Sequence, residues 1–189
     1  MSEESKITID TFKTVTKAIA ESDNLDIMTN HLAQLLVTTL DIKGCAIFFL
    51  YPETKELEIL ASFGLGTKYL SKGPLSADKS LAANLNGESV IVSDVTKDKN
   101  VQYPEEAERE GIAAILSIPI VFLGEVHGAL RLYHHKVWEI SERDIDSLRL
   151  LAENIGLAMT YTRLLNAIQS ISEVVNRAIS PEFQLLSKK

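Results

Sequence analysis

IAAILSIPIVFLGEVHGALRLYHH, residues 112–135, is a pair of apolar runs broken by Leu123 and Gly124. Two runs rich in β-branched residues around a Leu-Gly pair predict a hairpin, because glycine supplies the positive φ that a tight turn demands. With those two residues as the turn, Ile120 pairs with His127, Ile118 with Ala129 and Leu116 with Arg131. Along the second strand Val126, Gly128, Leu130 and Leu132 share one face, and His127, Ala129, Arg131 and Tyr133 share the other. The first face is small or apolar throughout. The second sets an arginine between an alanine and a tyrosine, beside apolar residues of the partner strand, where plain solvent exposure fits it poorly.

After the hairpin the pattern changes to that of a helix. Ser141 starts it, with Asp144 three residues on as its capping partner. Ile145, Leu148, Ala152, Ile155 and Met159 form a stripe suited to docking on a sheet. A second stripe, Leu157, Tyr161, Leu164, Ile168, Ile171, Val175 and Ala178, has the alternating four-three spacing of a coiled-coil seam. Pro181 is expected to end the helix. From Ser141 to Ile179 it would run roughly 58 Å, whereas a domain of this size is about 30–40 Å across, so its last turns must project. An apolar seam on a projecting helix needs a partner, and a second copy of the chain supplies one.

Upstream, a first helix is expected over Ile7–Ala20 with Ile9, Phe12, Val15 and Ile19 as its stripe. Asp23 is the expected cap of a second helix carrying Leu25, Met28, Leu32, Leu35 and Leu36, with His31 read as packing beside them. GCAIFFLY and LEILASF read as a hairpin turned by PETKE. GLGTKYLSKGPLSADKS has no period and reads as a long loop, succeeded by a short helix over Ser80–Asn86 that Gly87 closes. ESVIVSDV is a further strand, and PEEAERE a short acidic helix between Pro104 and Gly111.

The 189 residues are 46% hydrophobic and 24% charged, enough apolar matter for one packed domain. A net charge of −7 without any Lys/Arg cluster argues against nucleic acid as a partner. No apolar run approaches the ~18 residues of a membrane span and MSEESKITID has no apolar signal core, so a soluble, cytoplasmic protein is expected. Cys45 is the single cysteine and His31, His127, His134 and His135 show no ligand spacing, so neither a disulfide within the chain nor a metal site is expected.

The order helix, helix, hairpin, loop, short helix, strand, short helix, hairpin, long helix resembles the GAF domain, a ligand-sensing relative of the PAS fold. The residues that carry the resemblance are SLAANLNGESVIVSDV and the run from Gly111 to Met159, with its strand, Pro, Gly-turn, strand ending in Gly-x-Leu and acid-capped helix. The resemblance covers about Asn24 to Leu165. It implies an α+β fold with an antiparallel sheet of five or six strands. Long helices would cover one face, and short helices and loops would enclose a small-molecule pocket on the other. Matching segment by segment to the family's cyclic-nucleotide-binding members implies pocket positions at Ala46, Phe48, Ser62, Phe63, Ser80, Leu81, Ile112 and Arg131. Leu116 and Ala129 join them as neighbours of the arginine.

Against the cyclic-nucleotide members, His134 and His135 stand where those carry Asn-Lys, Ile140 stands for Phe, and Arg131 stands where an acid is found. Against the bilin-binding members, Cys45 lies in a strand rather than a loop. Against the members that reduce free methionine sulfoxide, one cysteine cannot form the disulfide the chemistry needs. The cofactor, if the chain has one, is left unspecified.

The expected organisation is a helix over residues 1–22 for a dimer bundle, a GAF-like domain over 23–165, a coiled-coil extension over 166–180 and a short tail over 181–189. The expected function is non-enzymatic sensing of a small, anionic molecule by a homodimer, with an output domain or kinase partner reading the signal. The alternative is a dimerisation and relay module without a physiological ligand. In the first case Arg131 meets the ligand; in the second it meets Asp94, Asp98, a glutamate of PEEAERE, or water. The residues are compatible with a stand-alone protein and with a piece of a longer sensor.

Overall fold

The computed structural model describes residues 7–22, 24–51, 53–54, 56–73, 86–99 and 101–186, with side chains as far as 177. Ser80, Leu81 and the short helix expected around them fall outside the described residues. The chain is α+β. Five strands form one antiparallel sheet: β1 (Gly44–Leu50), β2 (Leu57–Phe63), β3 (Val90–Val92), β4 (Ala114–Phe122) and β5 (Glu125–His134), in the order β2-β1-β5-β4-β3. The described helices are α1 (Ile9–Ala20), α2 (Leu25–Leu40), α3 (Thr67–Leu70), α4 (Pro104–Glu110) and α5 (Glu142–Leu186).

The sheet separates two apolar layers. On one side α2 and α5 pack against it and α1 packs on both, burying Leu32, Leu36, Leu148 and Ile155 against Ile47, Ile118, Leu130 and Leu132. On the other, Ala46, Phe48, Ile115 and Tyr133 meet Tyr69 of α3, Ala107 of α4 and the segment after β3 through Val95. β1 is buried along its whole length because both of its faces are covered.

The β4–β5 hairpin turns at Leu123 and Gly124 as expected, both at positive φ. Its register differs from the expected one. A bulge next to the turn leaves Val121 opposite Val126 but Ile120 opposite Gly128, so that Leu116 pairs with Leu132 and Ser117 with Arg131. One extra residue on a strand moves every later partner to the other face. Leu116, expected on the pocket side, therefore sits in the helix-side core.

Other expectations shift in smaller ways. Asn24, not Asp23, caps α2 through Oδ1, which accepts from the Ile27 amide at 3.0 Å. His31 is exposed rather than packed. Thr8 caps α1 in a reciprocal box with Thr11, and this rotates the helix so that Thr11, Val15 and Ala18 are buried while Ile9 is 73% exposed. α5 continues through Pro181 to Leu186, 45 residues or about 67 Å. A proline removes one rung of the hydrogen-bond ladder, and the turns on either side hold the helix together.

The start of α5 is tied as its sequence suggests. Ser141 Oγ donates to Asp144 Oδ2 (2.9 Å) and accepts from the Asp144 amide (3.1 Å). The other carboxylate oxygen accepts from the amide of Ile7 at 3.2 Å, which fixes the approach to α1 from 137 residues away. At the centre of the sheet Gly128 lies opposite Phe49, and a Cβ there would run into the carbonyl oxygen of Phe48. Replacing Gly128 by Ala should cost about 2 kcal/mol or more in urea denaturation, since backbone atoms must move to admit the methyl group. A variant as stable as the wild type would contradict this close approach.

Candidate functional site

Arg131 lies on the side of the sheet away from the long helices. Directly across from it are Ala46 on β1 and Ser117 on β4, and Ser62 on β2 continues the same row. The arginine is 5% exposed, and its Nε is buried without a hydrogen-bond partner. Among the described residues no carboxylate makes an ion pair with it. Three of the acids that sequence reasoning offered, Asp94, Glu105 and Glu110, are engaged elsewhere, while Glu106 acts through its charge on Lys72 and Tyr69. Asp94 accepts from Lys97 (2.8 Å) and from the hydroxyl (2.6 Å) and amide (3.0 Å) of Thr96, and these bonds hold its carboxyl down at about 2. Glu110 meets Lys43 at 3.4 Å and accepts from the Gly66 amide at 2.6 Å, and Glu105 pairs with Arg109 at 3.0 Å.

The surroundings of Arg131 are aromatic and cationic. Its guanidinium carbon is 5.8 Å from the centre of the Tyr133 ring, which stands edge-on to Tyr69 at 5.7 Å. Lys72, two residues beyond α3, turns back over this pair. Its Nζ sits 3.6 Å above the Tyr69 ring and 5.7 Å from that of Tyr103, and donates to the Tyr69 carbonyl at 2.9 Å. Gly73 follows Lys72 with φ +130°, and a Cβ there would come within 2.7 Å of the Tyr103 hydroxyl oxygen.

The electrostatics are set by burial. Desolvation, helped by the positive charge of Arg131, lowers the Lys72 ammonium to about 8 against the opposing pull of Glu106 and Glu110. Burial pushes the Tyr69 and Tyr133 hydroxyls up, so both keep their protons throughout the physiological range. The site is thus rich in hydrogen-bond donors and carries two cations. That is chemistry for holding an oxyanion.

The structure gathers some of the residues singled out by sequence and scatters others. Ala46, Phe48, Ile112 and Ala129 are buried with Arg131, and Ser62 is half-buried. Ala46, Phe48 and Ile112 belong to the pocket-side layer. Phe63 pairs with Cys45, a member of the helix-side core, so it faces away from the arginine and is exposed. His127 sits at the bulge beside the Phe122 ring. His134 stacks on His135 and accepts from the Lys136 amide at 3.0 Å through Nδ1. Among the described residues no three His, Cys, Asp or Glu side chains gather as a metal site. Sequence reasoning missed Lys72, Tyr69 and Tyr103. They lie in or beside aperiodic segments, where periodicity gives no signal.

Fold and site together set a donor-rich cluster of buried side chains on one side of the sheet and the long helices on the other. Residues 22–160 match the GAF domain family, and the chain belongs to it. GAF domains are sensory domains of signal-transduction proteins. No curated protein matches the chain. Among solved structures it is similar to the GAF domain of a phosphoenolpyruvate-protein phosphotransferase from Coxiella burnetii (20% identity, TM-score 0.74, covering 84% of this chain and 96% of that one). It is also similar to free methionine-R-sulfoxide reductase from Neisseria meningitidis, solved with its substrate (14%, TM-score 0.72, 87% and 95%). A third is a domain of a putative two-component sensor histidine kinase from Sinorhizobium meliloti 1021 (18%, TM-score 0.66, 78% and 99%). At these identities the likeness is one of fold. No helix of the described residues is long and apolar enough to cross a membrane.

The depressed Lys72 ammonium makes a stability prediction. Unfolded, the group holds its proton to about 10.5; folded, only to about 8. Between those values the unfolded state binds more protons, so this lysine's contribution makes the protein more stable as pH rises from 8 towards 10.5. The stability of wild type relative to Lys72→Met, measured by chemical denaturation, should climb across that window. A flat difference would mean that Lys72 is not desolvated.

Proposed function

We propose that the chain is a non-enzymatic, small-molecule-sensing GAF domain that binds an anionic ligand at Arg131 and works as a homodimer through its terminal helices. The observation that carries the ligand half is the buried guanidinium with an unpartnered Nε. A buried charge left unpaired is costly, and a ligand carboxylate or phosphate removes that cost when it binds. The reading as a sensor without catalysis rests on chemistry. Cys45 is buried in β1 with its thiol pushed up by desolvation, a poor nucleophile. A reducing, cytoplasmic setting goes with this reading.

The homodimer half is supported by α5. Leu157, Tyr161, Leu164, Ile168, Ile171 and Val175 are all exposed, from 47% at Val175 to 64% at Ile171. They run along about 27 Å of helix in the spacing of a coiled-coil seam. Arg163 at its base lies 4.6 Å from the Phe49 ring, so the seam starts where the domain's own packing ends. The same observation favours a second reading, a dimerisation and relay module with no physiological ligand. In either reading α5 carries the signal to an output domain or kinase partner, and the sensor-kinase neighbour supports that assignment.

Arg131→Met separates the two readings. If the arginine awaits a ligand, the variant should match or exceed the unliganded wild type in thermal stability and lose any stabilisation by added anions. Stabilisation by anions that persists in the variant would sink the contact role. Leu164→Glu combined with Ile171→Glu should convert a dimer to a monomer in sedimentation or light-scattering measurements while leaving the domain folded. A dimer that survives both changes would place the interface elsewhere.

A further inference from the structure

We infer that the ligand carries two negative charges: one oxyanion group seated side-on against the Nε edge of Arg131, and a second negative charge held by Lys72. The inference rests on the reading of the site as an anion-binding pocket and goes further, to the chemical class of what binds.

The unpartnered atom gives the orientation. It is Nε that lacks a partner, and Nε with the neighbouring Nη presents two parallel N–H donors spaced for two oxygens of one carboxylate or phosphate. An end-on contact through the two Nη atoms would leave Nε as it is now. The hydroxyls of Tyr133, whose ring lies beside the arginine, and of Tyr69, edge-on to that ring, stay protonated and bring no competing charge.

The second charge is inferred from Lys72. The side chain is half-buried and rests on the Tyr69 ring, and among the described residues no carboxylate makes an ion pair with it. The charged groups that act on it are Arg131 on β5 and Glu106 and Glu110 on α4. Glu110 is already held by Lys43 and by the Gly66 amide. Even with both acids in place, burial and the arginine prevail, and the lysine is left short of negative charge. A monoanion seated on Arg131 cancels only the arginine's own excess. A dianion also supplies what Lys72 lacks, and removes the like-charge repulsion between the two cations. The cation–aromatic contact holds the ammonium in place until then. Small dicarboxylates and phosphate-bearing molecules share this chemistry.

Calorimetric titration of the full chain with succinate, inorganic phosphate and butyrate tests the inference. At about pH 7 one or both dianions should bind at least about tenfold tighter than butyrate, the effect of one added contact of about 1.4 kcal/mol. Lys72→Met should bring the preferred dianion down to the butyrate level and leave butyrate within about threefold of its wild-type affinity, with Lys72→Arg recovering much of the preference. Raising the pH to about 9.5 should act on the wild type as Lys72→Met does and leave that variant unchanged. Arg131→Met should remove binding of all three probes.

Butyrate binding as tightly as both dianions, or Lys72→Met leaving their preference intact, would overturn the two-charge inference and leave the anion pocket standing. Binding that survives Arg131→Met would overturn both, as would the absence of binding by every probe up to roughly 10 mM, a concentration at which even a contact of about 3 kcal/mol registers.

Discussion

The register that β5 holds between β1 and β4 is the constraint on which both sides of the molecule depend. Leu130 and Leu132 must reach the helix-side core, so Arg131 between them must face the other way. A slip of one residue would drive a guanidinium into the packing of α2 and α5 and turn two leucines towards the pocket. Nothing in that position is negotiable. The bulge near the β4–β5 turn and the close approach of Gly128 to the Phe48 carbonyl pin the register at one end, and the pairing of Gly44 with Tyr133 continues it to the other.

That constraint sets the chemistry. An arginine fixed in a β-ladder cannot swing out to water as one on a loop can, so its burial has to be met by whatever covers it. Among the described residues the cover includes α3, α4 and Lys72, which bring tyrosines and a second cation but no carboxylate ion-paired to the arginine. Glu110, Asp94 and Glu105 are paired with Lys43, Lys97 and Arg109. Meanwhile the strands that carry the site are the strands on which α5 packs, and α5 leaves the domain with an apolar seam exposed. The Arg131 cluster and α5 are thus separated by one layer of sheet, a short path for a change at one to be felt at the other.

Much of this was legible in the sequence where patterns are periodic. The alternation along β5 separated Leu130 and Leu132 from Arg131 and Tyr133, and Ser141 with Asp144 marked the start of α5. Periodicity does not record a bulge, because the inserted residue leaves the composition of the strand unchanged; this is why Leu116 was expected beside the arginine. Phe63 failed differently. It is adjacent to Ser62 on β2, and neighbouring strand residues point to opposite faces, so a segment match that named both had to leave one of them facing away from the arginine. Lys72 was invisible because a lysine in an aperiodic loop looks the same whether it meets solvent or folds back over a tyrosine. Pro181 shows the opposite error, a strong local signal outweighed by the helical turns around it.

Native mass spectrometry of protein purified gently from cells tests the central claim most directly, namely that the buried Arg131 is completed by a ligand. The account predicts a homodimer carrying a reproducible small adduct, of a mass that fits an organic acid or a phosphate-bearing molecule. The adduct should be absent from Arg131→Met prepared in the same way. An adduct of unchanged mass and occupancy in Arg131→Met would contradict the account, because the occupant would then owe nothing to the residue around which the site is built.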